Sequence, residues 1–278
     1  MDTTAVDSDL SRADAIERAA WTDLFRAAPF ATRRALGLEL AEVGDALALT
    51  AAAADHPLLN RAIGATAADL AAIAAHYDGR GVRRYFVHVH RAGRRADNDR
   101  AADRAGLVRY HRAWCKLARG SEPAPEIPTG FTIEPARASD MAEVGALYCA
   151  AFDLPAAVAP MIEATLGRAG WDLLVARDRD RPVAFGLLFS RGEVGYMAGG
   201  GTAPAARRRG AQGALLAARI ARARARGCRW MASETGEAVP GDPQHSYRNM
   251  ERCGFVPIGT RDNYTPAGTA WGHGSSAA

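Results

Sequence analysis

The chain has 278 residues, with 35 Lys+Arg against 31 Asp+Glu and a formal net charge of +4. That length suits about two domains, each able to bury a core without staples. At 48% hydrophobic and 24% charged residues the composition excludes disordered and collagen-like chains. No stretch approaches the ~20 apolar residues of a membrane span.

In the first half, Asp9 to Arg26 has helical periodicity and Leu38 to Ala52 reads as a hairpin around Gly44-Asp45. A helix is expected over Thr66–Tyr77, a strand over Arg84–His90, a helix over Asn98–Arg104 and a strand over Leu107–Lys116. Gly120 to Gly130 is rich in Pro and Gly, lacks periodicity, and reads as a linker between domains at 1–127 and 128–278. The N-terminus is acidic without the apolar core of a secretory signal. The four cysteines (Cys115, Cys149, Cys228, Cys253) are scattered with no C-x-x-C, which fits buried thiols in a reducing cytoplasm.

The second half opens with a strand at Phe131–Arg137. Ser139-Asp140 offers a cap for a helix reaching Phe152, and a second helix is expected over Ala156–Arg168. Strands follow at Trp171–Ala176, Pro182–Phe189 and Val194–Thr202. A helix over Gly210–Arg226 is stopped by Gly227, and Arg229–Ser233 is a strand. A helix over Ser246–Arg252, a strand over Phe255–Tyr264 and a frayed tail over Gly272–Ala278 complete the order. The fold class is α/β (α+β), a mixed sheet flanked by helices. Asp103-Arg104-Ala105-Gly106-Leu107-Val108 matches Glu251-Arg252-Cys253-Gly254-Phe255-Val256 in residue type, and both lie at a helix-to-strand turn. That echo points to a duplicated fold.

The charge is concentrated. Glu193 and Glu234 bracket a segment with no acid and eight arginines, so this segment is +8 and the remainder −4. An anionic partner near it is expected, alongside the plainer alternative of a solvated helix face. Within the segment, a strand ends in Gly199-Gly200-Gly201, turns at Pro204, and meets Arg207-Arg208-Arg209-Gly210 at the start of a helix. Helix N-terminal amides lack internal partners and carry the positive end of the macrodipole. Gly210 and Gly213 would let a phosphate approach them, and the arginines add forked donors. The spacing is neither a Walker loop nor G-x-G-x-x-G.

This stretch resembles the acyl-CoA signature R/Q-x-x-G-x-G/A of the GCN5-related N-acetyltransferase (GNAT) superfamily. Arg207-Arg208-Arg209-Gly210-Ala211-Gln212 fits its first four positions, with Gln212 in place of the final Gly/Ala. Arg252-Cys253-Gly254-Phe255 resembles the family's "xxGF" helix end. The resemblance covers Phe131 to about Tyr264, and the whole chain resembles a two-domain bacterial subgroup with a degenerate GNAT-like first half. It implies tandem domains, each a mixed, mostly antiparallel twisted sheet. It also implies acetyl-CoA as co-substrate, and direct acyl transfer to an amine in a ternary complex. The cofactor would meet Gly201, Thr202, Ala203, Arg207, Arg208, Arg209, Gly210, Ala211, Gln212, Gly213 and Ala214, with pantetheine between the strands Val194–Thr202 and Arg229–Ser233. The triple glycine would be small because a bulky side chain would block it.

Among Glu193, Glu234 and Glu237, Glu234 is the first candidate for general base. The family's Tyr acid is replaced by Met250, leaving Tyr247 or Ser246 as proton donor. Backbone N–H groups of Met197–Gly201 could serve the oxyanion. Arg219, Arg222 and Arg226 read as solvent-facing or as contacts to the CoA ribose phosphate. His88, His90 and His111 could share a site, but the spacing supports no metal. Trp21, Trp114 and Trp171 read as core anchors. The acceptor is a small-molecule or protein amine. No nucleic acid or membrane partner is expected, and a homodimer is left open. The rival readings are a catalytically inactive acyl-CoA sensor or scaffold, and an arginine-driven nucleic-acid binder.

Overall fold

The computed structural model describes residues 3–241 and 244–269; the predicted tail at 272–278 lies outside them. The first half contains α1 (Thr3–Ala27), α2 (Phe30–Leu36), the hairpin β1 (Leu38–Val43) and β2 (Ala46–Ala51), then β3 (Arg61–Ala65) and α3 (Leu70–Asp78). It continues with β4 (Phe86–His90), α4 (Arg95–Arg104), β5 (Leu107–Arg109) and β6 (Trp114–Gly120). The second half contains β7 (Thr132–Pro135), α5 (Met141–Phe152), α6 (Ala159–Glu163), β8 (Trp171–Asp178), β9 (Arg181–Arg191) and β10 (Val194–Thr202). It closes with α7 (Ala211–Ala225), β11 (Trp230–Gly236), α8 (His245–Arg252) and β12 (Val256–Pro266).

Two expectations need correction, and two elements are unexpected. Two short elements, α2 and β3, carry too little periodicity to be read from sequence, and β3 is bulged at Gly64, where φ is +80°. The strand expected over Leu107–Lys116 is two strands, because the chain turns between Arg109 and Trp114 while the amide of Tyr110 donates to Asn263 O. The helix expected over Ala156–Arg168 shortens to Ala159–Glu163, preceded by a 3-10 turn.

The strands form a single mixed sheet of order β1-β2-β3-β4-β12-β6-β11-β10-β9-β8-β7, with β5 paired to β12. The order is nearly palindromic. Antiparallel β1·β2 and β2·β3 and parallel β3·β4 repeat as β8·β9, β9·β10 and β10·β11. The duplication read from the helix-to-strand echo is therefore present: α4 leads to β5 as α8 leads to β12. Each half also sends its last strand across. β12 pairs with β4, β6 pairs with β11, and β6 and β12 pair antiparallel at the centre.

Helices α1, α2, α5 and α6 cover one face, over a core that includes Trp21, Phe25, Tyr148, Phe185 and Tyr196. On the other face, α3 and α4 pack around Ile73 and Tyr77, and α7 and α8 around Leu216, Ile220, Met250 and Phe255. The linker crosses this second face, where Ala124 and Ile127 pack on the α7–α8 core. It is pinned by Arg119, which donates to the carbonyls of Cys253 (2.5 Å) and Glu122 (2.6 Å). All four cysteines are free and buried. Among the described residues no helix is long and apolar enough to cross a membrane.

Candidate functional site

Parallel strands β10 and β11 pair from Val194↔Trp230 to Met197↔Ser233, where Ser233 Oγ donates to Met197 O at 3.0 Å. Beyond that rung the ladder stops. β10 bulges between Met197 and Gly200 and continues with β9 alone, pairing Gly200 with Gly186. A cavity occupies the parting. Gln212, Arg219, Ser246 and Met250 line it on the α7–α8 face, and Trp21, Leu24, Tyr148 and Phe152 on the α1–α5 face. Residues Ala198–Gly200 and Ser233–Thr235 flank the passage between them. The sheet is thus perforated where a strand ladder would otherwise close it.

The glycines of β10 are small for a different reason from the one expected. A Cβ on Gly199 would come within 3.0 Å of the Tyr148 ring, and one on Gly201 within 2.6 Å of Ala151 Cβ. Gly186 makes room for Arg219, whose Nε would lie 2.7 Å from a Cβ there, while a Cβ on Gly200, its cross-strand pair, would meet Phe185 O at 3.3 Å. The open edge of β10 begins at Ala198, earlier than the Gly201–Ala203 stretch expected, and the Ala203 amide is taken by Val183 O at 2.8 Å.

The basic loop is shaped by two left-handed residues, Arg208 (φ +62°) and Gly210 (φ +83°). Gly210 precedes α7, whose N-terminus carries no side-chain cap, so its first amides remain available. Arg207, Arg208 and Arg209 are exposed. Arg207 donates to Thr202 O at 3.3 Å, and Arg209 pairs with Asp178 at 2.9 Å and lies 4.3 Å over the Phe131 ring. The space beside the two glycines belongs to the linker: a Cβ on Gly210 would overlap Pro128 O, and one on Gly213 would approach Ile127 Cγ2 at 3.0 Å. The linker therefore borders the approach that was expected to be free for a phosphate. Ala211 and Ala214 are buried. Gln212 holds α8 to α7, donating to Ser246 Oγ (3.2 Å) and accepting from Asn249 Nδ2 (2.7 Å).

The expectation that Arg219, Arg222 and Arg226 are solvent-facing or reach a cofactor phosphate holds for Arg222 and Arg226, which are exposed, and fails for Arg219. Arg222 and Arg226 both pair with Asp172, at 2.8 and 2.5 Å. Arg219 is buried, lies across the glycine pair, and donates to the carbonyls of Leu187 (3.0 Å), Leu215 (3.3 Å) and Ala198 (3.3 Å). It supports the bulge directly. Burial pulls its guanidinium down to about 10.

Glu234 lies at the inner wall of the cavity, but it is not free. It pairs with Arg61 (2.9 Å), Lys116 (3.1 Å) and Arg261, which also hold Glu17 and Asp14 of α1. Three acids and three cations are thus buried together where α1 meets β3, β12, β6 and β11. Burial raises the Glu234 pKa, and Lys116, Arg61 and Arg261 outweigh it, holding the carboxyl well below the usual range. A carboxylate so stabilised is a weak base. Glu193 and Glu237 are also paired, with Arg229 and Arg91. On α8, Ser246 and Met250 line the cavity one turn apart, whereas Tyr247 packs on the α7–α8 core and burial pushes its pKa up. The single lysine in the sequence was the one visible signal for the ion cluster.

Among the described residues of the first half, the corresponding parallel ladder does not part. Beyond its own bulge, β3 stays paired with β4 through Ala65↔Val89. At the start of α3 the Asp69 carboxylate accepts from Thr66 N and Thr66 Oγ1, both at 2.8 Å. That carboxylate turns back to the preceding loop and, as at α7, makes no side-chain cap to the helix amides. His88 bonds Asn263 (2.7 Å) and His90 bonds Asp14 (2.9 Å). Among the described residues no group of three or more His, Cys, Asp or Glu is placed to hold a metal ion.

Residues 143–255 match the model of the acetyltransferase (GNAT) family. No curated protein matches the chain by sequence. Among solved structures, a GCN5-related N-acetyltransferase from Kribbella flavida superposes with TM-score 0.60 at 20% identity, over 86% of this chain and 96% of its own. A second, from Sphaerobacter thermophilus, gives 0.53 at 18% identity over 65% and 58%. A tandem GNAT protein from the clavulanic acid biosynthesis pathway gives 0.50 at 16% identity over 73% and 70%. At such identities the structural likeness speaks for the fold. With the family match inside the second half and the duplicated sheet over the whole chain, residues 143–255 carry a GNAT-family domain and the chain as a whole has a two-domain GNAT fold.

Proposed function

We propose that the protein is an N-acyltransferase that moves an acyl group, acetyl in the first instance, from acyl-CoA to an amine in a ternary complex. The observation that carries this reading is the parting of β10 and β11, which gives two substrates access to one point from opposite faces of the sheet. Acyl-CoA would be held by the open edge of β10 from Ala198 through Gly201 and Thr202. Its diphosphate would meet the uncapped amides of α7 at Gly210, Ala211, Gln212, Gly213 and Ala214, with Arg207, Arg208 and Arg209 around them. Acyl-CoA supplies a thioester carbonyl open to nucleophilic attack.

The protein's own groups supply positioning and electrostatics. The bulge frees backbone of Ala198 and Gly199 from the ladder, where an N–H can face the developing oxyanion. Arg219 holds that bulge through Ala198 O. Glu234 stays ionised and does not take the amine proton, so the amine attacks as its free base and the proton passes to water. Ser246 Oγ, which accepts from Gln212 Nε2 and lines the cavity, would relay a proton from water to the departing thiolate. Titration calorimetry with acetyl-CoA followed by thiol release across an amine panel tests the reading, and absence of binding overturns it. A second reading, an inactive acyl-CoA sensor or scaffold, is favoured by the neutralised Glu234 and by Met250; binding without turnover would select it.

A further inference from the structure

The chamber on the α1–α5 face has an unusual wall. Trp21 and Leu24 of α1, Tyr148 and Phe152 of α5, Trp171 of β8 and Trp114 of β6 line it. Trp21 and Trp171 are buried in the core as expected, and together with Trp114 they also border this space. Trp114, Phe152 and the nearby Leu58 are only half-buried, so the chamber is least enclosed on their side.

The wall offers no acid for an ammonium group. Its one carboxylate, Glu234, is shared by three cations. Arg61, the cation on the same wall, lies 4.4 Å from the Trp21 ring and 5.5 Å from the Trp114 ring, so these two faces already hold a cation. Behind the wall, Asp23 takes the indole N–H of Trp171 (2.7 Å) and is paired with Arg168 (2.7 Å). Any ammonium would exchange water for an apolar wall without a counterion, so an amine enters as its free base and a polyamine would have to shed several protons. A flat, apolar amine would exchange water for ring contacts.

We infer that the acceptor taken by this chamber is a small aromatic primary amine, entering as the uncharged base. The inference rests on the acyltransferase reading and names the substrate class for that site. It explains why the lining is aromatic on the acceptor side alone, while the α7–α8 side is lined by Gln212, Ser246, Met250 and Arg219.

The test uses the full chain with acetyl-CoA and 2-phenylethylamine, n-butylamine and spermidine, reading CoA thiol release. The expected result is a kcat/KM for phenylethylamine at least roughly tenfold above n-butylamine, from the added buried ring area, with spermidine lower still. Leu24→Trp should fill the chamber and lower phenylethylamine turnover by about tenfold or more, with acetyl-CoA affinity by calorimetry unchanged. If that variant fails to fold, Leu58→Trp probes the same wall from a loop. Equal or better use of n-butylamine or spermidine overturns the aromatic inference and leaves the acyltransferase reading standing. If acetyl-CoA binds but no amine is acetylated, phenylethylamine quenching of tryptophan emission in the acetyl-CoA complex decides it, and no quenching overturns it. Failure to bind acetyl-CoA overturns both.

Discussion

Glu234 shows how a position can read as catalytic while its surroundings assign it another task. Its carboxylate accepts from Arg61 and pairs with Lys116 and Arg261, so three strands and α1 meet through it. Glu234→Gln would leave three buried cations facing two acids. The expected effect is a loss of stability on the order of 3–5 kcal/mol, measured as a lower denaturant midpoint. The pH dependence of kcat/KM should not move. Unchanged stability with a displaced acidic limb would restore Glu234 as the base. On α8 the prediction is a contrast. Ser246→Ala should lower kcat by roughly tenfold or more, because the hydroxyl on the cavity is lost. Tyr247→Phe should leave kcat within twofold, since that ring packs on the core; equal losses for both variants would dissolve the distinction.

At the scale of elements, β10 and α7 form one device. The bulge, Gly186 and Arg219 depend on one another: Gly186 admits the guanidinium, and the guanidinium holds carbonyls of β9 and β10. Arg219→Met should keep the volume but leave buried carbonyls unpaired, costing about 1–3 kcal/mol for each one left unsatisfied. Acyl-CoA affinity should fall with it, read by calorimetry, and Arg219→Lys should not rescue, lacking the fork. Full affinity in Arg219→Met would separate the bulge from cofactor binding. Much of this device was legible in the chain: the glycine run, the arginine turn and the helix stopped by Gly227 all announce themselves locally. The position of Arg219 was not. Its helical spacing sets it apart from Leu216 and Ile220, and only a glycine of another segment, Gly186, reveals that it is buried. The ion cluster was similarly hidden, because Arg61, Lys116, Glu234 and Arg261 are scattered along the chain and only the single lysine and the candidate base Glu234 stand out from ordinary surface charges.

The whole molecule is joined by its exchanged strands, and local patterns could not show this, since periodicity names a strand without naming its neighbour. Two consequences are measurable. The first is pH dependence. Burial holds His88 well below its usual range and brings His56 down to about 4. Below pH ~6.5 the unfolded chain binds protons at these sites that the folded chain refuses, so stability is full above that pH and falls as pH drops. Urea unfolding between pH 6 and 5 should show a loss of about 1 kcal/mol per pH unit for each histidine, and His88→Gln should remove one share. Below pH ~4 the loss should steepen as Asp14 and Glu234, ionised only with their partners, take up protons in the unfolded state. The second consequence concerns the halves. A fragment of residues 128–278 lacks β6, which in the intact chain pairs with β11 along Trp114–Gly120 and with β12. Both strands would then expose long unpaired edges, the condition that invites aggregation. A fragment of residues 1–127 lacks β12 and likewise exposes β4. Each fragment expressed alone should be aggregated or unfolded, and the two expressed together should give a soluble one-to-one complex, because β6 can then insert between β11 and β12 as in the intact chain. Size-exclusion chromatography with circular dichroism reads both states. A 128–278 fragment that unfolds cooperatively as a monomer would mean that the linker boundary separates independent domains and that the central exchange adds nothing essential to either.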